Sequence, residues 1–411
     1  MTTQESIFEI FSEETLAGVA YKNKSLKRSI IDHLDQSGNS TITDLAAALN
    51  ISVPKTTSLV NELIADRIVK EYGKDDSKGG RRASMYGLVA ESGFFVGVDI
   101  KNFHVNLGLL NFKKELVTSE MHVPYTLANT QESFRELMGI IQHFINNVPV
   151  DRKKIFAVCL NLSGRINSEK GYSYSYFHFN EEPLSQVVED AIGIKTFVEN
   201  DSRAMAYGEF NHGNVHDEKN VLYLNLDYGI GLGIMLDGKI YRGKSGFSGE
   251  FGHIPIFSNE LICHCGKKGC LETEASGQAL VRMFQERIAQ GHTSGLLKNK
   301  KLPENLRVAD IIQATLNEDV LCIELIAELG EKIGRGISVL INLFNPELVI
   351  IGGILAETGD YIRLPIRSAL NKYSLSLVNN DTQLRMSKLQ EKAGIIGGCL
   401  IARRNLLAFN K

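Results

Sequence analysis

Three thiols and an imidazole stand close together in this chain: His253, then Cys263, Cys265 and Cys270. They can fill the four positions of a tetrahedral zinc ion. Because no position remains for a substrate water, the ion is expected to be structural. Gly266 and Gly269 flank the thiols as tight ligand loops demand, whereas Cys159, Cys322 and Cys399 stand alone in apolar surroundings. Glu250 and Glu272 bracket the cluster. A metal-stiffened loop presenting ionised carboxylates, which accept from several hydroxyl donors, suits a polyhydroxyl ligand.

A second group of polar residues follows the strand pattern Thr196-Phe-Val. There Glu199-Asn200-Asp201 leads into a helix beginning at Ser202. Asn and Asp at such a place commonly cap the helix; a cap at the carboxyl end of a strand in a cleft can also face a ligand.

The third group is basic and lies near the N-terminus. Leu26, Ile30, Ile31 and Leu34 predict a helix closed by Gly38; Thr43 or Asp44 can cap a second through Leu45, Ala46 and Leu49. Pro54 starts a third, running to about Asp66, with Leu59, Val60, Leu63 and Ile64 as its apolar stripe. That phase turns Lys55, Thr57, Ser58 and Asn61 outward, with Thr56 nearer the edge. Two β-rich pieces follow, Arg67 to Tyr72 and Ser84 to Val89, joined by a loop carrying Arg81 and Arg82. The pattern predicts a winged helix-turn-helix whose third helix enters a DNA major groove and whose cationic loop meets phosphates or a narrow minor groove. A winged helix that binds protein instead is the ordinary alternative.

Residues 1 to 21 contain four acids and no Lys or Arg, whereas Lys22 to Val89 holds eleven basic against eight acidic residues, so the basic excess sits where nucleic acid would be met. A chain of 411 residues has room for two or three domains. With no signal peptide and no apolar run near the roughly 20 residues of a membrane span, a cytoplasmic protein without membrane insertion or disulfides is expected.

The body, from about residue 93, is α/β. Phe94 to Asp99 with the following Val105 to Leu110 resembles Val221 to Asp227 with Gly231 to Leu236, each set starting at a strand that ends in Asp. Two such halves predict duplicated lobes facing across a cleft. Expected boundaries are an acidic segment 1–21, a DNA-binding domain 22–90, a small lobe 91–200 plus 391–411, and a large lobe 201–390 with the zinc loop.

Glu250-Phe-Gly-His253, the cysteine cluster ending Cys270-Leu-Glu272, Glu199-Asn200-Asp201 with Ala204 and Gly208-Glu209, and Gly243-Lys-Ser-Gly246 together resemble the ROK family (repressor, open reading frame, kinase) over nearly all the chain after residue 22. The resemblance implies an actin-like (ribonuclease H-like) two-lobe fold and zinc on His253, Cys263, Cys265 and Cys270. It also implies a sugar held by Asn200, Asp201, Glu250, His253 and Glu272; in family kinases the residue matching Asp201 is the general base. If one His253 nitrogen binds zinc, the other is an N–H donor aimed at a fixed place.

Two loops depart from the kinase pattern. Where kinases carry an Asp-x-Gly-Gly-Thr-like phosphate loop, this chain reads Asp99-Ile-Lys-Asn-Phe-His104; where they carry Gly-Thr-Gly, it reads Asp227-Tyr-Gly-Ile-Gly-Leu-Gly233. Lost glycines keep backbone amides away from phosphates, although Lys101, Gly229, Gly231 and Gly233 leave room for weak nucleotide binding. The expectation is a sugar-responsive repressor of the N-acetylglucosamine- or xylose-repressor type. Its effector would be a sugar or sugar phosphate, and it would sit as a homodimer or dimer of dimers on a palindromic operator. The alternatives are an ATP-dependent hexose or N-acyl-hexosamine kinase with Asp201 as base, and a repressor governed by a transporter subunit.

Overall fold

In this computed structural model the described residues are 7, 10, 11, 19–74, 83–179, 181–297 and 302–407. Helix α1 (Val19–Ser37) buries Ile30, Ile31 and Leu34 and stops at Gly38, whose φ of +78° is a left-handed stop. After β1 (Ser40–Thr41), the Thr41 hydroxyl accepts from the Asp44 amide at 3.1 Å and so caps α2 (Ile42–Ala48). The cap is therefore Thr41 rather than Thr43 or Asp44. Asp44 is already the third helical residue, and its carboxylate accepts from the Thr41 hydroxyl at 2.7 Å. Helix α3 (Val53–Ala65) takes Pro54 into its first turn, where a missing N–H costs nothing. Strands β2 (Val69–Lys74) and β3 (Ser84–Leu88) complete a small sheet of order β1-β3-β2. Arg81 and Arg82 lie outside the described residues.

The head is welded to the body. Ile7, Ile10 and Phe11, from the acidic segment, are buried in one apolar cluster that contains Ile30, Leu59 and Leu63 and continues into Phe95, Phe112 and Leu407 of the body. Asp35 of α1 accepts from Arg403 at 2.7 Å and faces the Lys114 ammonium at 2.9 Å.

The body repeats one topology. Strands β4 (Phe94–Ile100), β5 (His104–Asn111) and β6 (Leu116–Pro124) form a meander; α4 (Gln131–Asn147) follows. Next come β7 (Ile155–Leu162), the short hairpin of β8 (Ile166–Asn167) and β9 (Tyr172–Ser173), α5 (Leu184–Ile192) and β10 (Lys195–Asn200). The first large sheet runs β10-β7-β4-β5-β6. Helix α6 (Asp201–His212) then leads to β11 (Val221–Leu226), β12 (Ile230–Leu236) and β13 (Lys239–Ile240). Helices α7 (Leu271–Ala275), α8 (Gly277–Ala289), α9 (Val308–Leu316) and α10 (Val320–Phe344) cover the second sheet with α11 (Asp360–Tyr373). That sheet has the order β13-β12-β11-β14-β15, with β14 (Leu348–Gly352) and β15 (Gln383–Met386). In both sheets the first strand pairs antiparallel to its successor and parallel to a later strand.

The C-terminal helix α12 (Lys392–Leu407) returns to the first sheet. Glycines permit the approach: a Cβ at Gly97 would meet the Ile395 carbonyl at 2.1 Å, and one at Gly397 would meet the Ala204 carbonyl of α6 at 1.8 Å. Helix α6 is thus clamped between α12 and β12, where a Cβ at Gly233 would strike Ala206 at 2.3 Å. Among the described residues no helix is long and apolar enough to cross a membrane.

Candidate functional site

The loop before α7 folds back on itself through antiparallel bridges Pro255–Cys270 and Ile262–Lys268. Gly269 has φ +75°, and a Cβ there would lie 2.2 Å from the Phe257 carbonyl, so the turn admits only glycine. This fold gathers His253, Cys263, Cys265 and Cys270, whose ligand atoms all lie within 4.8 Å of one another. Cys265 and Cys270 sulfurs are 3.7 Å apart, and Cys263 sulfur is 3.5 Å from His253 Nδ1. A tetrahedral ion with Zn–S of about 2.3 Å and Zn–N of about 2.0 Å requires edges of roughly 3.8 and 3.5 Å, so the donors fit zinc in kind and spacing. Burial and the neighbouring Cys265 and Cys263 push the Cys270 thiol up to about 12. A divalent cation at the centre would reverse that cost.

With Nδ1 turned to the thiols, His253 Nε2 points back toward Glu250, 3.8 Å from its carboxylate. Glu250 itself is exposed. Glu272 is mostly covered; its Oε2 accepts from the Ile230 amide at 3.1 Å, while Oε1 lies 3.0 Å from His264 Nδ1. The other expected ligand residues come from the neighbouring strand end. Asn200 is the N-cap of α6, its Oδ1 accepting from the Arg203 amide at 3.1 Å, and its Nδ2 donates to the Gly164 carbonyl at 3.1 Å. Asp201 accepts from the Ser202 amide at 2.7 Å and, more loosely, from Asn225 Nδ2 at 3.4 Å. Asp201 and Glu272 therefore grip adjacent rungs of one hairpin, Asn225 opposite Gly231 and Leu226 opposite Ile230. Asn200 and Asp201 thus stand at the end of β10, Asp201 and Glu272 meet the β11–β12 hairpin, and the loop that carries Glu250 and His253 packs along β12.

One support was not foreseen from the sequence. Buried Glu199 accepts from Arg203 Nε at 2.6 Å, Arg242 at 2.8 Å and Ser168 at 2.7 Å. Burial alone would raise its carboxyl; the two guanidinium groups outweigh it and hold Glu199 at about 2. Arg203 also donates to the carbonyls of Gly246 and Ile166, tying the 242–246 loop and β8 to the cap. The sequence signal was the Glu199/Arg203 spacing across a strand-to-helix junction. His264, against Glu272, had no such signal.

The loops at Asp99 to His104 and Asp227 to Gly233 pack against each other. The Lys101 ammonium lies 3.4 Å from Asp99 and 3.7 Å from Asp227, across the two strand ends. Desolvation opposes its charge, but Asp99, Asp227 and Asp201 hold it protonated above the ordinary lysine range. Asp99 is wholly buried, and desolvation raises it to about 6 despite Lys101. Phe103 meets Tyr228 edge-on at 5.9 Å, and the Arg307 guanidinium lies 5.3 Å over the Phe103 ring. The glycines that remained in the second loop have packing reasons. A Cβ at Gly229 would come within 2.7 Å of Glu272, and one at Gly231 within 1.9 Å of the Ser202 hydroxyl.

On α3, Ser58 and Asn61 are exposed and Lys55 and Thr57 half-buried, but Thr56 is fully buried, its hydroxyl donating to the Ser52 carbonyl at 3.1 Å. Thr56 therefore leaves the DNA-facing set: three and four residues before Leu59 and Val60, it belongs to the core stripe. The face is also less cationic than its composition suggested, since Glu62 lies on it and pairs with Lys27 at 3.0 Å.

The ROK family model matches residues 95–405, and a winged helix-turn-helix DNA-binding model matches residues 24–70. The xylose repressor of Caldicellulosiruptor bescii is 28% identical over 369 residues, 89% of this chain and 92% of its own. A crystal structure of a ROK family transcriptional regulator, a homolog of the E. coli MLC protein, superposes with TM-score 0.78 at 27% identity, covering 94% of this chain and 97% of that one. A ROK family glucokinase from Streptomyces griseus, solved with glucose and AMPPNP, gives TM-score 0.67 at 27% identity over 76% of this chain and 100% of that one.

Proposed function

Because the chain belongs to the ROK family and carries a winged helix-turn-helix head, we propose that it is a cytoplasmic, sugar-responsive transcriptional repressor of carbohydrate-metabolism genes and not a kinase. Its main support is the contrast between the two sides of the cleft. One keeps carboxylates able to accept from sugar hydroxyls; the other has exchanged space for phosphates against Lys101, Phe103 and Tyr228. Phosphoryl transfer depends on positioning and neutralising the phosphates. Here the cation between Asp99 and Asp227 is a side chain.

Asn200, Asp201, Glu250, His253 and Glu272 would hold the sugar, and zinc on His253, Cys263, Cys265 and Cys270 would fix the direction of the His253 N–H. When bound, the ion supplies stiffness, since its four protein ligands leave it no open position. Lys55, Thr57, Ser58 and Asn61, with Arg81 and Arg82, would meet operator DNA.

A second copy is required by a palindromic operator. Val339 and Leu343 on α10 stand exposed beside Leu375, whose amide donates to Asn342 at 3.2 Å, and Leu377 is 82% exposed; this apolar face offers a place for self-association. A coupling of about 1–3 kcal/mol between sugar and DNA sites suffices to change operator affinity by one to two decades.

The test is a thermal melt across a sugar panel, with and without operator DNA, run beside an ATP-consumption assay. A sugar at 100 times its dissociation constant should add about 2.7 kcal/mol of stability. Sugar-dependent turnover above about 1 s⁻¹ would make the chain a kinase with Asp201 as base. A chain that represses yet responds to no sugar would point to control by a protein partner such as a transporter subunit.

A further inference from the structure

Beside the candidate sugar residues runs the segment Gly171-Tyr-Ser-Tyr-Ser-Tyr176, which alternates rings with small hydroxyl residues. Its strand β9 pairs with β8 directly after Gly164. Tyr172 and Tyr174 stack with centroids 6.3 Å apart and planes 28° from parallel. Tyr174 then meets Phe247 edge-to-face at 5.6 Å. The ladder thus starts on the separate two-stranded β8–β9 hairpin and ends on the loop after β13. Its outer rings are uncovered, Tyr174 being 48% and Phe247 39% exposed. Single exposed apolar residues are ordinary on a protein surface. Two rings from separate loops that meet each other and remain open to water are a built surface.

The segments that carry the ladder adjoin those that carry the candidate sugar residues. Phe247 precedes Glu250 by three residues. Gly164, whose carbonyl accepts from Asn200, lies so close to Ser175 that a Cβ would meet its hydroxyl at 2.3 Å, and Tyr174 is the residue before Ser175. The Glu199 network holds the same two loops, through Arg203 to Gly246 and Ile166 and through Arg242. The backbone of the two segments that carry the rings is therefore held to the Asn200 cap by buried hydrogen bonds.

A pyranose ring has polar edges and an apolar C–H face. Carboxylates serve the edges and flat aromatic rings the face, since aromatic residues bring large rigid area and little conformational entropy. We propose that Tyr174 and Phe247 form an outer subsite that stacks on a second ring attached to the bound sugar, so that the effector is a glycoside, a disaccharide foremost, rather than a free monosaccharide. The proposal rests on Asp201, Glu250 and Glu272 being the sugar site.

The full chain is titrated calorimetrically with D-xylose, D-glucose and N-acetyl-D-glucosamine, and with a β-linked disaccharide and a 4-nitrophenyl β-glycoside of each. The expected result is a glycoside bound at least ~10-fold more tightly than its parent monosaccharide. Tyr174→Ala and Phe247→Ala should each erase that advantage while leaving monosaccharide affinity within about two-fold, and Phe247→Tyr should restore it. Because the chain has no tryptophan, Phe247→Trp adds a single indole whose emission should respond to the glycoside and not to the monosaccharide. Monosaccharide binding with no glycoside advantage, or an advantage that survives both alanine substitutions, overturns the outer subsite and spares the sugar site. No binding by any probe overturns both.

Discussion

The two sides of the cleft use buried carboxylates in opposite ways. At the end of β10, Glu199 is surrounded by Arg203, Arg242 and a hydroxyl and held ionised near 2, beside the candidate residues Asn200 and Asp201. On the other side Asp99 is buried with Lys101 as its main cation and raised to about 6. One carboxylate is over-compensated by two guanidinium groups; the other is under-compensated by a single ammonium. Burial of a charge is informative only together with what neutralises it.

The comparison can be broken most forcefully at the metal. Elemental analysis should find about one zinc per chain in the wild type, and the Cys263→Ser/Cys265→Ser double variant should lose it. Every sugar-induced shift in melting should vanish with it. Next, Asp201→Asn and Glu272→Gln should each weaken sugar binding by about 1.5–3 kcal/mol, ten- to a hundred-fold, measured by calorimetry. Equal binding by both variants would remove the carboxylates from the site. Lys101→Met, which strands Asp99 and Asp227, should cost about 3 kcal/mol in urea unfolding at neutral pH yet leave sugar affinity nearly unchanged.

The contrast sharpens with pH. Asp99 has a folded value raised above the ordinary 3.8 to about 6. Its native state holds the proton more tightly, so its contribution is present below pH 4 and lost as pH rises to about 6. For Glu199, lowered from 4.5 to about 2, the contribution is present above pH 4.5 and lost as pH falls toward 2. Urea midpoints of Asp99→Asn and Glu199→Gln, each against wild type, should therefore diverge with opposite slopes in those windows; slopes of equal sign would contradict the assignment. The smallest effect belongs to the head: Ser58→Ala or Asn61→Ala should reduce operator affinity by about 1 kcal/mol in a gel-shift titration and leave the sugar melt untouched.

Much of the fold and site was legible because their signals are local. The thiol spacing, the strand-to-helix step at Asn200 and the repeated strand sets each occupy one stretch of chain. What escaped depended on phase or on distant partners. Thr56 was misjudged because a polar residue at the edge of a helical stripe can turn inward once its hydroxyl bonds the preceding turn, as it does to Ser52. The cap at Thr41 was missed by two or three residues, a common error where hydroxyls adjoin. Gly229 and Gly231 looked like relics of phosphate binding, and only their contacts with Glu272 and Ser202 show what they do. No spacing rule brings Phe103 to Arg307.

Helix α6 begins at Asp201 and ends at His212, whose Nε2 lies 3.0 Å from the Lys114 carbonyl. Lys114 in turn pairs with Asp35 of the head. At about 1.5 Å per residue the helix is a rod of roughly 18 Å, and α12 and β12 pack closely against it between Ser202 and Gly208 through glycine contacts. Any tilt imposed where a sugar hydroxyl would touch its first turn must reappear at its last, beneath the hairpin on which the DNA-reading head is seated.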